Sequence, residues 1–191
     1  MVTGSQTVRI TGFGGSLRKD SFNMKLLKEC QRLMPEGAEL EIVSIKDIPL
    51  YNQDLDENQP EPVGKFRNQI KNADGFIIAT PEYDFSIPGF LKNTLDYISR
   101  PPQDNPFTGK IGAIMSASPS MLGGSRAQYH LRQVMGFMDA RVINRPEVFI
   151  SFAHTKFDEN GHLVDEMAIN LIKQLLNRLI DEIRKQKYAN N

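Results

Sequence analysis

Residues Gly12 to Asn23 read Gly-Phe-Gly-Gly-Ser-Leu-Arg-Lys-Asp-Ser-Phe-Asn, a run whose residue types can hold an anion. Glycines allow a tight turn, the Ser16 and Ser21 hydroxyls can donate to phosphate oxygens, and Arg18 offers a planar, permanently charged fork. A β-type run from Val8 to Phe13 precedes this segment and a helical pattern follows it. Backbone N–H groups therefore converge at a helix start, where negative charge is favoured. The expected chemistry is the binding of a phosphorylated ligand.

Two common phosphate patterns do not fit. Gly12-Phe13-Gly14 would open a dinucleotide fingerprint, but Leu17 stands in place of the last glycine, and no acid closes the second strand near Ser44. No Gly-Lys-Ser/Thr follows at the spacing of a triphosphate loop. Hydroxyls, Arg18 and Asn23 suit a terminal monoester phosphate. The histidines at 130, 154 and 162 are dispersed, with no cysteine pair to complete a metal site. No G-x-S-x-G elbow marks a hydrolase. The single Cys30 excludes an internal disulfide and suits a reducing compartment; among Met24, Leu26, Leu27 and Leu33 it reads as a buried, inert thiol.

The elements that must position this loop alternate along the chain. Strands are expected over 7–13, 40–45, 75–80 and 110–118, with a fifth from Arg141 to Ile150 that Pro146 interrupts. Helices are expected over 21–34, from about 62 to Lys71, from Pro88 to Ile98, over 124–138 and over 166–186. The stretch 47–62, with Asp54, Asp56, Glu57 and Glu61, reads as a solvated loop. Five strands alternating with five helices mean an α/β doubly wound parallel sheet, whose ligands bind beyond the carboxyl ends of the strands. The loops at 14–23, 80–87 and 116–125 converge there.

Composition sets the class. The 191 residues (21.6 kDa) fit one domain spanning 1–191, and 40% hydrophobic with 24% charged residues is ordinary for a globular protein. Lys+Arg and Asp+Glu balance at 23 each, so no net field favours nucleic acid or an anionic membrane surface. No apolar run approaches the roughly 18 residues of a membrane span, and no basic-then-apolar leader opens the chain. A cytoplasmic location is the expectation. Met115, Met121, Met135 and Met138 read as core or interface filler.

Gly15-Ser16-Leu17-Arg18-Lys19-Asp20-Ser21-Phe22-Asn23, Pro81-Glu82-Tyr83-Asp84 and Pro88-Gly89-Phe90-Leu91-Lys92-Asn93 with Asp96 together resemble the NAD(P)H-dependent FMN reductases of the chromate/quinone reductase group. Gly123-Gly124-Ser125-Arg126 and Gln128 to Gln133 extend the likeness over about residues 7–150. The resemblance implies a flavodoxin-like three-layer sandwich with strand order 2-1-3-4-5 and FMN as cofactor. It implies electron flow from NADPH or NADH through the flavin to quinones, and also to chromate or azo compounds. Ser16, Leu17, Arg18, Ser21, Phe22 and Asn23 would hold the phosphate and ribityl chain. Pro81, Glu82, Tyr83, Asp84 and Ser118 would border the ring, and no catalytic side chain is required.

The family usually has Asn where this chain has Asp84; a carboxylate there would lower the flavin's potential, unless it points to solvent and only its backbone matters. Tyr97 stands where the family often has Trp. Gly123, Gly124 and Arg126 either open a helix or line the nicotinamide site or an interface. Homodimers or homotetramers are implied, with contacts through the helix from Pro88 and the Arg126–Arg132 segment. The rival reading is a flavodoxin-type electron carrier that docks on proteins without NAD(P)H turnover, against which the balanced charge counts. A weaker one is a flavin-free interaction module.

Overall fold

The computed structural model describes residues 7–189. Its strands are β1 (Val8–Gly14), β2 (Ala38–Ile42), β3 (Gly75–Ala79), β4 (Ile111–Ala117), β5 (Arg141–Val142) and β6 (Val148–Ile150). Its helices are α1 (Phe22–Arg32), α2 (Glu61–Asn72), α3 (Gly89–Ile98), α4 (Ser125–Phe137) and α5 (Glu166–Ala189). All strands pair in parallel in the order β2-β1-β3-β4-β5, with β6 also on β4. This is the flavodoxin-like order, with its switch point between β1 and β3.

Burial on both faces explains the apolar runs of the central strands. In β4, Ile111, Ala113, Met115 and Ala117 face a core built with α1 and α5, through Leu26, Leu27, Cys30, Ile172 and Leu176. Phe76, Ile78 and Ile114 face the second core, with Val63, Phe66, Leu91, Leu95 and Leu131 from α2, α3 and α4. Period two along the strands thus feeds two helical layers. Gly112 belongs to this packing: a Cβ there would stand 2.2 Å from the Phe76 ring, which also meets Phe107 edge-on at 5.0 Å. Cys30 is fully buried beside Met115, and burial pushes its thiol up, out of the reactive range.

Two boundaries depart from the periodicity. Alternation over 40–45 suggests a strand, yet β2 runs from Ala38 to Ile42: its last registered pair is Ile42 with Gly12, closed by a bond from Val43 N–H to Gly12 O at 2.8 Å, and beyond it β1 continues to Gly14 on β3 alone. Val43 and Ile45 are still buried, in the outgoing loop, so their alternation records packing rather than pairing. The fifth strand is two separate pieces on one neighbour. Arg141–Val142 pairs with the start of β4 and Val148–Ile150 with its end, and the chain leaves the ladder between them, around Pro146. Helix α5 extends to Ala189, beyond its expected end, and α2 begins at Glu61.

Candidate functional site

Gly15 N–H donates to Ala79 O at 2.9 Å, carrying the β1–β3 ladder one residue past the strand before the chain turns away. Ser16 then accepts from Arg18 N–H at 3.3 Å, and Leu17, Arg18, Lys19 and Asp20 are exposed. The Arg18 guanidinium gives one bond, to Asp20 O at 3.3 Å, and pairs with no carboxylate among the described residues. Ser21, buried, caps α1 by accepting from Met24 N–H at 3.4 Å. The first turn of α1 carries no acidic side chain, so its positive end is left uncompensated from within the helix. A hydroxyl, a guanidinium and helix-start N–H groups form a donor set that fits a phosphate dianion.

Two residues of the motif turn away from this loop. Asn23 is buried, and its amide bonds both backbone groups of Ala117, donating to the carbonyl and accepting from N–H at 2.9 Å each. It ties the start of α1 to the end of β4, across the switch point. Phe22 packs on Phe157, with ring centroids 5.8 Å apart, and Lys25 Nζ lies 5.4 Å from its centroid. Only backbone atoms of Phe22 can face a ligand at the helix start.

Beyond β3 the chain makes a two-residue hairpin. Tyr83 N–H donates to Ser86 O at 3.0 Å and Ser86 N–H returns to Tyr83 O at 2.8 Å. The central residues Asp84 and Phe85 have φ of 50° and 63°, a type I′ signature. Asp is one of the few residues that tolerates this region, which accounts for Asp84 without reference to its charge. The Asp84 side chain is exposed, as are Tyr83 and Phe85. Pro81 is half-buried, and its carbonyl accepts from Thr80 Oγ1 at 2.9 Å.

Helix α4 clamps this hairpin. Glu82, nearly buried, accepts from Arg126 Nε–H at 2.7 Å and from Arg126 backbone N–H at 3.1 Å. The Arg126 guanidinium stacks over the Phe85 ring at 3.7 Å, and His130 Nδ1 lies 3.0 Å from Ser86 Oγ. Glu82 follows β3 and Arg126 stands in the first turn of α4, which follows β4, so the pair fits the reading of Arg126 as part of a helix entry. Sequence reading missed the roles of Phe85 and Ser86.

The third wall follows β4. Ser118 Oγ accepts from Ser120 N–H at 3.2 Å and meets Ser120 Oγ at 3.0 Å, closing a small turn. Gly124, with φ of 86°, starts α4 where a Cβ would stand 2.8 Å from that of Ser116. Ser116 Oγ donates to Gly123 O at 2.6 Å and accepts from Gln128 Nε2 at 2.8 Å. The Gly123-Gly124 pair is thus a helix start. On the outer face of α4, Tyr129 reaches Glu147 at 3.4 Å, and that carboxylate holds the phenol above its ordinary range.

The sequence model of the NADPH-dependent FMN reductase family matches residues 8–155. The chain is 46% identical over 176 residues to an NAD(P)H-dependent FMN reductase of Pseudomonas aeruginosa, covering 92% of this chain and 95% of that protein. It is 37% identical over 187 residues to a quinone reductase of Escherichia coli, covering 96% and 99%. Among solved structures it is similar to FerB, a flavoenzyme NAD(P)H:(acceptor) oxidoreductase from Paracoccus denitrificans. There the TM-score is 0.86 at 32% identity, over 94% of this chain and 98% of that one.

Proposed function

Because the chain belongs to the NADPH-dependent FMN reductase family, we propose that it is an FMN-dependent oxidoreductase passing electrons from NADPH or NADH to quinones. Chromate and azo compounds are incidental acceptors of the same open site. The flavin, when bound, supplies the hydride and electron-transfer chemistry. The observation that carries this reading is the convergence of the anion loop at 15–21, the hairpin at 82–86 and the wall at 118–124 on one sheet edge.

Ser16, Arg18 and the N–H groups of Leu17 and Phe22 hold the phosphate, while Ser21 fixes the helix start. Asn23 acts one step back, by fixing α1 against β4. Pro81 to Asp84 and Ser118 border the ring through backbone groups, with Glu82 engaged by α4. These residues orient the flavin and exclude water from one side of it. The balanced charge of 23 against 23 disfavours the electron-carrier reading, since carriers of that type tend to be strongly acidic.

The chain works as one FMN-binding domain, since both cores lie on a single sheet. It forms homodimers that pair into tetramers, through α3 and the Arg126–Arg132 segment, where Tyr129 is 50% exposed. The cytoplasm is its location, in keeping with the lone buried cysteine. Among the described residues no helix is long and apolar enough to cross a membrane. Purified protein loaded with FMN oxidises NADPH in the presence of benzoquinone, and omission of FMN from the stripped protein removes the rate. NADPH oxidation that ignores FMN, or none with it, refutes the reading.

A further inference from the structure

A cavity of about 320 Å³ opens beside the anion loop, on the side of β2. Its lining includes the apolar Leu17, Met24, Ile42 and Ile45 and the polar Ser16, Ser44 and Lys46. Lys46 is exposed, and its ammonium has no hydrogen-bonding or ionic partner among the described residues. No carboxylate belongs to the lining. Through Ser16 and Leu17 the cavity adjoins the phosphate site, while its Ser44 and Lys46 side has no part in the flavin functions described above.

We propose that the cavity receives the adenosine 2′-phosphate end of NADPH, which makes Lys46 and Ser44 the residues that discriminate NADPH from NADH. The inference rests on the reductase reading above. An adenine ring is flat and largely apolar, which suits walls of Leu17, Met24, Ile42 and Ile45. A ribose 2′-phosphate is a dianion that needs a cation, whereas a ribose 2′-hydroxyl is held by a carboxylate acceptor. The cavity's lining offers the cation and no carboxylate.

Reach agrees with this assignment. The loops that border the ring follow β3 and β4, and β2 lies beyond β1 in the order β2-β1-β3-β4. Strands are about 4.8 Å apart, so the cavity stands roughly 10–15 Å along the sheet edge from those loops. Two nucleotides joined through a pyrophosphate and drawn out span that gap, leaving the nicotinamide over the ring and the adenosine past the anion loop.

Calorimetric titration of the purified, FMN-loaded chain with 2′,5′-ADP and with 5′-AMP tests the site without turnover. Wild-type protein binds 2′,5′-ADP at least about tenfold tighter, as one charge-assisted bond to phosphate implies. Lys46→Ala erases that preference and Lys46→Arg retains it. In turnover, the ratio of kcat/KM for NADPH to that for NADH falls about tenfold in Lys46→Ala. Equal affinity of the two nucleotides for wild type, or a preference that survives Lys46→Ala, overturns the proposal. FMN titration of the same samples reads the reductase assignment separately: protein that fails to bind FMN fails there, while the nucleotide preference still answers for Lys46.

Discussion

The Glu82 carboxylate accepts two bonds from one residue, the side-chain Nε–H of Arg126 at 2.7 Å and its backbone N–H at 3.1 Å. Gly124, which precedes α4, has no side chain to cap the helix. Glu82 therefore serves α4 as a cap from another strand's loop, and the same contact fixes the start of the Tyr83–Ser86 hairpin.

Removing that cap has a graded outcome. Glu82→Ala costs about 1–2 kcal/mol of stability, the range for loss of a helix cap with a charged acceptor. Arg126→Ala costs less, because the backbone N–H bond to Glu82 persists. Urea midpoints of the two variants check the order, and a larger loss for Arg126→Ala contradicts the assignment.

Asp84 separates backbone from charge. With φ of 50° it needs a residue that accepts the left-handed region. Asp84→Asn keeps stability, and Asp84→Val loses about 1–2 kcal/mol. Because the side chain is exposed, its charge is screened, so Asp84→Asn leaves the potential of the bound flavin unchanged in a redox titration. A raised potential in Asp84→Asn restores the electrostatic role that its position in the motif suggests.

Asn23 is a buried bridge. Asn23→Ala strips Ala117 of both partners and leaves a buried N–H and a buried carbonyl unpaired, at a cost of about 2–4 kcal/mol in urea unfolding. A loss under 1 kcal/mol, with FMN affinity sharply reduced, moves Asn23 back among the phosphate ligands.

Asp104 gives the chain a pH signature. Lys71 and Arg67 donate to its carboxylate at 2.6 and 2.9 Å and hold it below the ordinary carboxylate range. A carboxylate lowered in the folded state contributes stability above its unfolded pKa and loses it as pH falls through the folded one. Wild type therefore exceeds Asp104→Asn in thermal midpoint at neutral pH, and the gap closes below the carboxylate range. A gap that is constant with pH excludes the ion-pair origin.

Much of this was legible in the sequence because buried elements repeat their period. The runs 75–79 and 111–117 could only be two-sided strands, and Leu26, Leu27 and Cys30 could only be one face of a helix. Glycines, hydroxyls and Arg18 mark the anion loop by residue type alone. What stayed hidden depends on long-range partners. Asn23 reads as a ligand of the phosphate and ribityl chain, yet Ala117, ninety-four positions on, takes its amide. Val43 and Ile45 alternate as a strand would, but they are buried in the second core after the pairing with β1 has stopped at Ile42. The adjacency of Glu82 and Arg126 follows from β3 pairing with β4, a fact of topology.

The most direct measurement is anaerobic mixing of the FMN-loaded protein with excess NADPH while the flavin's visible absorption is followed. Rapid bleaching of the yellow form is expected, with its return when benzoquinone is added. Flavin that stays oxidised in the presence of NADPH contradicts the reductase reading and favours a carrier that receives its electrons from a protein.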